Sequence, residues 1–191
     1  MRSFILGVVL TLAVLILGGL GIALLGFIPT NANATPPKLE THLAMSAVDA
    51  STDHHAARIN SPVLPSPENL IDGMKIYTMN CSGCHGTLDK KPSPLASSFY
   101  PPPPQLIQDP PDDPEWFDYY TIRNGIRYTG MPAWDKALSD QDIWKVTIFI
   151  THMKKLPAAA QDYWKNAFGV PAPKAESEHT DHADHDEHEH H

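Results

Sequence analysis

The sequence predicts an all-α protein in which a single membrane-spanning helix precedes a small helical domain. Three observations support this fold class. Residues 4–28 form an apolar run without a charged side chain, helix start signals recur after residue 66, and alternating β-branched stretches are absent. Because nothing in the pattern demands a β-sheet, the downstream domain is expected to be built from helices and loops alone.

Residues 1–28 are predicted to form a transmembrane anchor. The uncharged run of 25 residues at 4–28 exceeds the about 20 apolar residues that span a bilayer as a helix. A secretory signal peptide has an apolar region of only about 7–15 residues, so the length favours an uncleaved anchor. Ala32-Asn33-Ala34 is an A-x-A pattern of the kind that signal peptidase cuts, which keeps a cleaved signal peptide as the alternative. Arg2 precedes the span and favours a cytoplasmic N-terminus.

Residues 29–66 are predicted to be a flexible linker, and residues 170–191 a disordered tail. The linker has scattered prolines and no sustained hydrophobic period, which is typical of an extended chain. Residues 176–191 hold six histidines and seven acidic residues, which indicates a solvated tail, with binding of divalent metals as the alternative. The formal net charge of −8 argues against nucleic acid as a partner.

Residues 67–169 carry the start signals of four helices. Ser66-Pro67 combines a capping serine with proline at the first helical position. The signal recurs before residue 115, where a following glycine predicts a helix over residues 115–124. Ser139 opens a capping-box variant, and Pro157 begins a last short helix. These helices are expected to enclose the core of one domain of common size.

Cys81-Ser82-Gly83-Cys84-His85 reads C-x-x-C-H, which is the attachment pattern of a c-type haem. The thiols of Cys81 and Cys84 can each add to one vinyl group of the porphyrin, and His85 is then held beneath the iron as a metal ligand. No other cysteine is present in the sequence. A zinc site would need a second ligand pair, and a thiol redox pair would need a βαβ context. Both readings remain as weaker alternatives to one covalently attached haem c.

Further motifs flank this site. Gly73 and Tyr77 precede it on one helical face, and residues 125–134 read GIRYTGMPAW. Together with CSGCHG, these motifs resemble class I c-type cytochromes, in particular short bacterial monohaem domains like those of cbb3 oxidase subunits. The resemblance covers roughly residues 67–157. It implies a cytochrome c fold of three to five helices around one haem.

The resemblance also implies roles for individual residues. It makes Met131 the second metal ligand, on the face of the iron opposite His85. It lets Trp134 contact a haem propionate as a cofactor-binding residue, with core packing as the alternative. Gly73 and Tyr77 are expected to pack against the last helix of the family fold, at Val146 and Phe149.

His85 is expected to donate its other ring N–H to a backbone carbonyl. The resemblance places that carbonyl in a proline-containing loop. The Pro-rich loop at residues 87–112 offers several candidates, and the sequence does not choose between Pro92, Pro94 and the prolines at 101–104.

Imidazole and thioether ligation predicts an electron carrier without enzymatic activity of its own. Both ligands are neutral, and His/Met ligation raises the reduction potential. The expected location is the periplasmic, extracytoplasmic side of a bacterial cytoplasmic membrane, in a respiratory or related chain, with redox proteins as partners. One alternative is a fixed cytochrome c subunit of a larger quinol-oxidising or terminal oxidase complex. The other is a haem enzyme or gas sensor, which requires an open iron position.

Overall fold

The computed structural model describes residues 1–173, and the regular elements within that range are all helical. The all-α prediction is therefore confirmed for this part of the chain. The α-helices are α1 (Arg2–Leu24), α2 (Lys38–His55), α3 (Pro67–Asn80), α4 (Ser82–His85), α5 (Glu115–Asn124), α6 (Asp140–His152) and α7 (Ala158–Phe168). Short 3-10 turns occur at Ala96–Ser98 and Met153–Lys155. Of the predicted tail at residues 170–191, residues 174–191 lie outside the described residues, together with the metal-binding alternative for its histidine- and acid-rich part.

The first helix, α1, is long and apolar enough to cross a membrane, and none of its residues is buried against the rest of the protein. The hydroxyl inside its apolar run is paired within the helix, because Thr11 Oγ1 donates a hydrogen bond of 2.9 Å to the carbonyl of Gly7. An apolar run whose internal hydroxyl is paired suits the interior of a bilayer. This N-terminal helix therefore fits an anchor.

Two helix starts in the domain, those of α3 and α6, follow the predicted serine caps. Ser66 Oγ accepts a hydrogen bond from the backbone N–H of Asn69 at 3.3 Å, and Pro67 occupies the first turn of α3. Ser139 Oγ accepts the N–H of Asp142 at 3.1 Å and opens α6. Each serine satisfies an N–H group that has no partner within its helix. The predicted start signals are thereby confirmed at both positions.

The centre of the core is the crossing of α3 and α6. A Cβ atom on Gly73 would lie 2.2 Å from the carbonyl oxygen of Lys145 and 2.7 Å from Cβ of Phe149, so the helices approach closely there. The rings of Tyr77 and Phe149 meet edge-on with centroids 5.7 Å apart. Trp164 of α7 is fully buried beside them and donates its indole N–H to the carbonyl of Leu88 at 3.0 Å. This crossing anchors the C-terminal end of α3, which leads directly into the C-x-x-C-H motif.

The structure differs from the predicted flexible linker, because 18 residues of the 29–66 segment form α2. The prolines of this segment lie on either side of Lys38–His55 and none lies inside it. A proline-free run can propagate a helix once its first turn is formed. The hydrophobic pattern of this segment is weak, so the sequence alone did not indicate a helix. In proteins, most of the stability of a helix comes from tertiary packing.

Three contacts hold α2 and the residues after it against the domain. Thr52 is only 5% exposed, and Thr41 Oγ1 lies 3.0 Å from the hydroxyl oxygen of Tyr100. Arg58, which follows α2, places its guanidinium 5.2 Å from the ring centre of Trp116 on α5. Half of the expected linker thus belongs to the folded domain.

Candidate haem site

One cavity of about 330 Å³ lies between the end of α3, α5, α6 and the two long loops of the domain. Most of its wall is apolar. It brings together residues that are up to 73 positions apart in the sequence, from Tyr77 to Ile150. All five predicted site residues line it, namely Cys81, Cys84, His85, Met131 and Trp134.

The C-x-x-C-H motif is held as a helical turn at the end of α3. The backbone N–H of Cys81 donates to the carbonyl of Tyr77 at 2.8 Å, and the N–H of His85 donates to the carbonyl of Cys81 at 2.9 Å. Gly86 then turns the chain away with φ of +91°, a conformation that favours glycine. This turn places Cys81, Cys84 and His85 on the same wall of the cavity.

Tyr77 fixes the end of this turn. Its hydroxyl oxygen lies 2.9 Å from the carbonyl of His85 and 2.8 Å from the carbonyl of Gly86. Burial raises the pKa of the Tyr77 hydroxyl far above its usual value, so the hydroxyl keeps the proton that it donates. The aromatic residue four positions before Cys81 therefore supports the motif through a hydrogen bond as well as by packing.

His85 is oriented by the Pro-rich loop. Its Nδ1 lies 2.9 Å from the carbonyl oxygen of Pro104. A carbonyl can only accept a hydrogen bond, so Nδ1 carries the proton and Nε2 is left with a free lone pair. Burial lowers the pKa of His85, with the Pro104 hydrogen bond acting in the opposite direction. A neutral imidazole of this tautomer is the form that ligates a metal.

Gln105 ties the same loop to the motif, and sequence reasoning missed it. Its Nε2 donates to the carbonyls of Cys84 and Pro103, each at 3.0 Å, while its Oε1 accepts the N–H of Ser93 at 2.7 Å. Ser93 Oγ in turn donates to the carbonyl of Gly83 at 2.6 Å. No pattern in the sequence singles out these two residues, because their partners are backbone atoms of a distant segment.

Met131 lies on a compact loop that begins where α5 ends. Gly125 has φ of +66°, and a Cβ there would lie 2.6 Å from the backbone of the loop. The N–H of Ile126 donates to the carbonyl of Met131 at 3.2 Å. Thr129 Oγ1 accepts a hydrogen bond from the N–H of Met131 at 3.1 Å and donates one to the carbonyl of Ile126 at 2.8 Å. These bonds define the conformation that holds Met131 in the cavity wall.

The other methionines of the domain occupy different places. Met74 and Met153 are fully buried in the core, and Met79 is 74% exposed on α3. None of these three lines the cavity, whereas Met131 does. The iron-ligand role of Met131 stays a prediction, as does the contact of Trp134 with a propionate. Trp134 is half-buried in the cavity wall and packs against the core.

Two polar side chains of α5, also missed from the sequence, face the cavity without a partner. Asp118 Oδ2 and Thr121 Oγ1 are buried and make no hydrogen bond within the described residues. Burial raises the pKa of Asp118 to about 7, and the charges of Asp113, Asp112 and Glu115 act in the same direction. In the sequence, the only indication of this arrangement is that Asp118 lies one turn before Ile122, which is on the inner face of α5.

The residues around the cavity fit a c-type haem. An imidazole, a thioether and two thiols are the donor set for a covalently held iron porphyrin. The apolar wall suits the porphyrin ring. The unpartnered atoms of Asp118 and Thr121 indicate that a further group completes the cavity, since buried polar atoms normally have partners.

Comparison with known proteins agrees with this geometry. The family model described as cytochrome c oxidase, cbb3-type, subunit III matches residues 68–150. The quinohemoprotein alcohol dehydrogenase ADH IIB of Pseudomonas putida is 24% identical over 93 residues, which cover 49% of this chain and 12% of that protein. The chain therefore aligns with only a small part of the length of that relative. The family-model match includes the whole segment that forms the cavity. Its motifs, its helical fold and these matches identify residues 68–150 as a class I c-type cytochrome domain.

Proposed function

We propose that this protein is a membrane-anchored electron carrier that holds one haem c, bound covalently through Cys81 and Cys84. The family implies haem-based electron transfer. The proposal of one covalently bound haem rests on one observation. The same cavity is lined by Cys81, Cys84, His85 and Met131. His85 and Met131 are the proposed iron ligands.

The bound haem supplies reversible one-electron chemistry, and the protein sets the conditions for it. The carbonyl of Pro104 orients the His85 ring and fixes its tautomer. The Met131 thioether is a neutral ligand that raises the reduction potential, and the apolar wall limits access of water. If His85 and Met131 both held the iron, no open position would be left for oxygen or peroxide, which favours a carrier over a haem enzyme or gas sensor.

The proposed location is the extracytoplasmic side of a bacterial cytoplasmic membrane. Helix α1 supports an anchor by its length and apolarity. A haem domain held at a membrane surface meets membrane-bound donors and acceptors at high effective concentration. We therefore propose redox proteins of a respiratory or related chain as its partners.

A fixed subunit of a larger oxidoreductase complex is the second candidate. The matched family model is described as an oxidase subunit, and the dehydrogenase relative is much longer than this chain. Purification in mild detergent distinguishes the candidates. Recovery of the haem with a large membrane complex supports a fixed subunit, whereas recovery of the chain alone supports a mobile carrier.

Covalent attachment gives the first test. The haem should stay with the polypeptide after acid denaturation, because thioether bonds survive loss of the fold. Changing Cys81→Ala together with Cys84→Ala should abolish this retention, whereas Ser82→Ala, in the same turn, should preserve it. Haem that is extractable from the unchanged protein would contradict the proposal.

The proposed ligand Met131 gives the second test. Met131→Ala should open the ferrous protein to carbon monoxide. Met131→His should keep six-coordinate iron and lower the potential, because a second imidazole stabilises ferric iron better than a thioether does. Met79→Ala is the matched control, since Met79 is exposed outside the cavity, and it should change neither property. An unaltered ligation spectrum in Met131→Ala would show that another residue binds the iron.

A further inference from the structure

The inner face of α5 places a carboxyl group in the wall of the proposed haem cavity. Asp118 and Thr121 lie one turn apart on α5, and both line the cavity. Asp118 Oδ2 is shielded from solvent and has no hydrogen-bond partner among the described residues. A carboxylate in this position would have no protein donor at Oδ2, which is also shielded from water, so part of its charge would lack stabilisation.

The charged groups around Asp118 are mostly acidic. Asp112 and Asp113 precede α5, and Glu115 lies in its first turn; each disfavours a negative charge on Asp118. From α6, His152 Nδ1 approaches Glu115 Oε1 at 3.5 Å. This contact engages Glu115, and Asp118 itself makes no ion pair within residues 1–173.

The other elements packed on α5 do not neutralise Asp118 either. From α2, Asp49 adds a negative charge beside Asp113, and Asp53 is paired with Arg58 at 3.2 Å. Asp140 of α6 is paired with Arg123 at 3.1 Å. From the cavity itself, the titratable groups are those of Tyr77, Cys81, Cys84 and His85. The surroundings thus favour the neutral carboxyl, and a positive charge in the cavity would favour its ionised form.

We propose that Asp118 is a redox-linked protonation site, which takes up one proton when the haem is reduced and releases it on oxidation. The inference rests on the proposed haem-binding function. One electron arrives from the donor protein and one proton arrives from solvent. The proton binds the Asp118 carboxylate, so reduction changes the net charge of the cavity by less than one unit.

The direction follows from electrostatics. Ferric haem carries one more positive charge than ferrous haem, and it stabilises a nearby carboxylate more strongly. The pKa of Asp118 is therefore lower in the oxidised protein than in the reduced protein. Between the two pKa values, the midpoint potential falls as pH rises, and it is flat on either side. With the pKa of Asp118 near 7, this step lies close to neutral pH.

The test is a spectroelectrochemical titration of the full-length, haem-containing protein in detergent from about pH 5 to about pH 9. Two unit charges in one partly buried site change an equilibrium constant by roughly tenfold. For a one-electron couple, tenfold corresponds to about 59 mV between the acidic and alkaline plateaus. Asp118→Asn should remove this step and hold the potential at the level of the acidic plateau.

Two further variants sharpen the result. Asp113→Asn removes a charge that raises the pKa of Asp118, so it should move the step to lower pH while keeping its size. Asp109→Asn changes an exposed acid ahead of α5 and should leave the step where it is. A step of wild-type size in Asp118→Asn would overturn the proposal, because a propionate or histidine would then be the titrating group.

Redox-difference infrared spectroscopy of the unchanged protein tests the same step without a variant. A protonated carboxyl band should appear on reduction near neutral pH and be absent at high pH. If no such band appears, Asp118 does not take up the proton. Failure of the proposed function is distinguishable, because the protein would then show no spectrum of a His- and Met-ligated c-type haem at any pH.

Discussion

Phe99 and Gly130 form the contact that holds the Met131 loop against the rest of the cavity. A Cβ atom on Gly130 would lie 2.5 Å from Cδ1 of the Phe99 ring, so the two segments touch without room for a side chain. Phe99 comes from the Pro-rich loop that also carries Pro104 and Gln105. One loop therefore supports the proposed ligands on both sides of the cavity.

Gly130→Ala should displace Met131, although the substitution adds only one methyl group. The added methyl group must displace either the Phe99 ring or the loop, because it would overlap the ring. We expect partial loss of the Met-ligated absorption spectrum and faster binding of carbon monoxide by the reduced protein. Adding Phe99→Leu should restore part of the spectrum by making room. An intact spectrum in the single variant would show that this contact does not position Met131.

At the scale of residues, the sequence predicts those groups whose chemistry requires a fixed local spacing. Cys81, Cys84 and His85 belong to one helical turn, so their pattern is visible in the sequence itself. The partner of His85 depends on which proline carbonyl of the loop reaches it, and only the folded loop selects Pro104. Asp118 was missed for a related reason, since its burial is a property of the cavity and not of α5 alone.

At the scale of elements, the approach of α3 to α6 depends on the absence of a side chain at Gly73. The carbonyl oxygen of Lys145 and Cβ of Phe149 occupy the place where a Cβ on residue 73 would lie. The crossing buries Tyr77 against Phe149, and it fixes the segment that leads into Cys81. A change in helix spacing is therefore transmitted to the haem site.

Gly73→Ala should lower the free energy of unfolding by about 1–3 kcal/mol or more, which is the usual cost of overpacking a core. The midpoint of urea unfolding of the haem-containing protein measures this effect. Met79→Ala, on an exposed face of the same helix, is the control and should change the free energy by less than about 0.5 kcal/mol. Equal midpoints for the two variants would contradict the close crossing.

An ion pair also links α3 to α6, and it gives a prediction for acidic pH. Asp72 Oδ2 lies 2.8 Å from Lys145 Nζ, and Oδ1 lies 3.2 Å from Lys75 Nζ. The hydrogen bond with Lys145, and after it that with Lys75, holds the pKa of Asp72 below its usual value. The ionised carboxylate therefore stabilises the fold at pH values above its ordinary pKa. This contribution is lost as pH falls through the lowered pKa.

Asp72→Asn should accordingly reduce stability at pH 7 by at most about 1 kcal/mol, because the pair is partly exposed. The difference from the unchanged protein should shrink below about pH 4 and vanish once Asp72 is protonated. Urea unfolding at several pH values measures both curves. A difference that persists unchanged in strong acid would show that the Asn variant is destabilised by another cause.

At the scale of the whole molecule, the connection between the candidate anchor α1 and the cytochrome domain is shorter than the sequence predicted. Helix α1 ends at Leu24 and α2 begins at Lys38, so residues 25–37 are the whole connection. Fully extended, such a segment reaches about 45 Å. Helices α3 and α6 were predictable because each begins at a capping serine, whereas α2 begins at Pro37 without a side-chain cap.

The role of α2 can be tested with two shortened chains, one starting at residue 36 and one at residue 57. Both keep every proposed haem-binding residue, so both should show the same haem spectrum. The shorter chain lacks the buried Thr52 and the contact between Thr41 and Tyr100. It should unfold at lower urea concentration, with a loss on the order of 1 kcal/mol. Equal urea midpoints for the two chains would show that α2 does not stabilise the domain and acts only as a linker.

Changes in the connection between α1 and α2 separate a mobile carrier from a fixed subunit. If α2 travels with the cytochrome domain, only the segment at 25–37 sets the reach from the membrane. Deleting about half of that segment should slow electron transfer to a distant partner, because the domain can no longer span the gap, while leaving the haem spectrum intact. A replacement of equal length and flexible composition is the control and should preserve the rate. A fixed subunit should behave differently. It should fail to assemble with its complex when α1 is removed, and it should tolerate a shorter connection only if the domain can still reach its docked position.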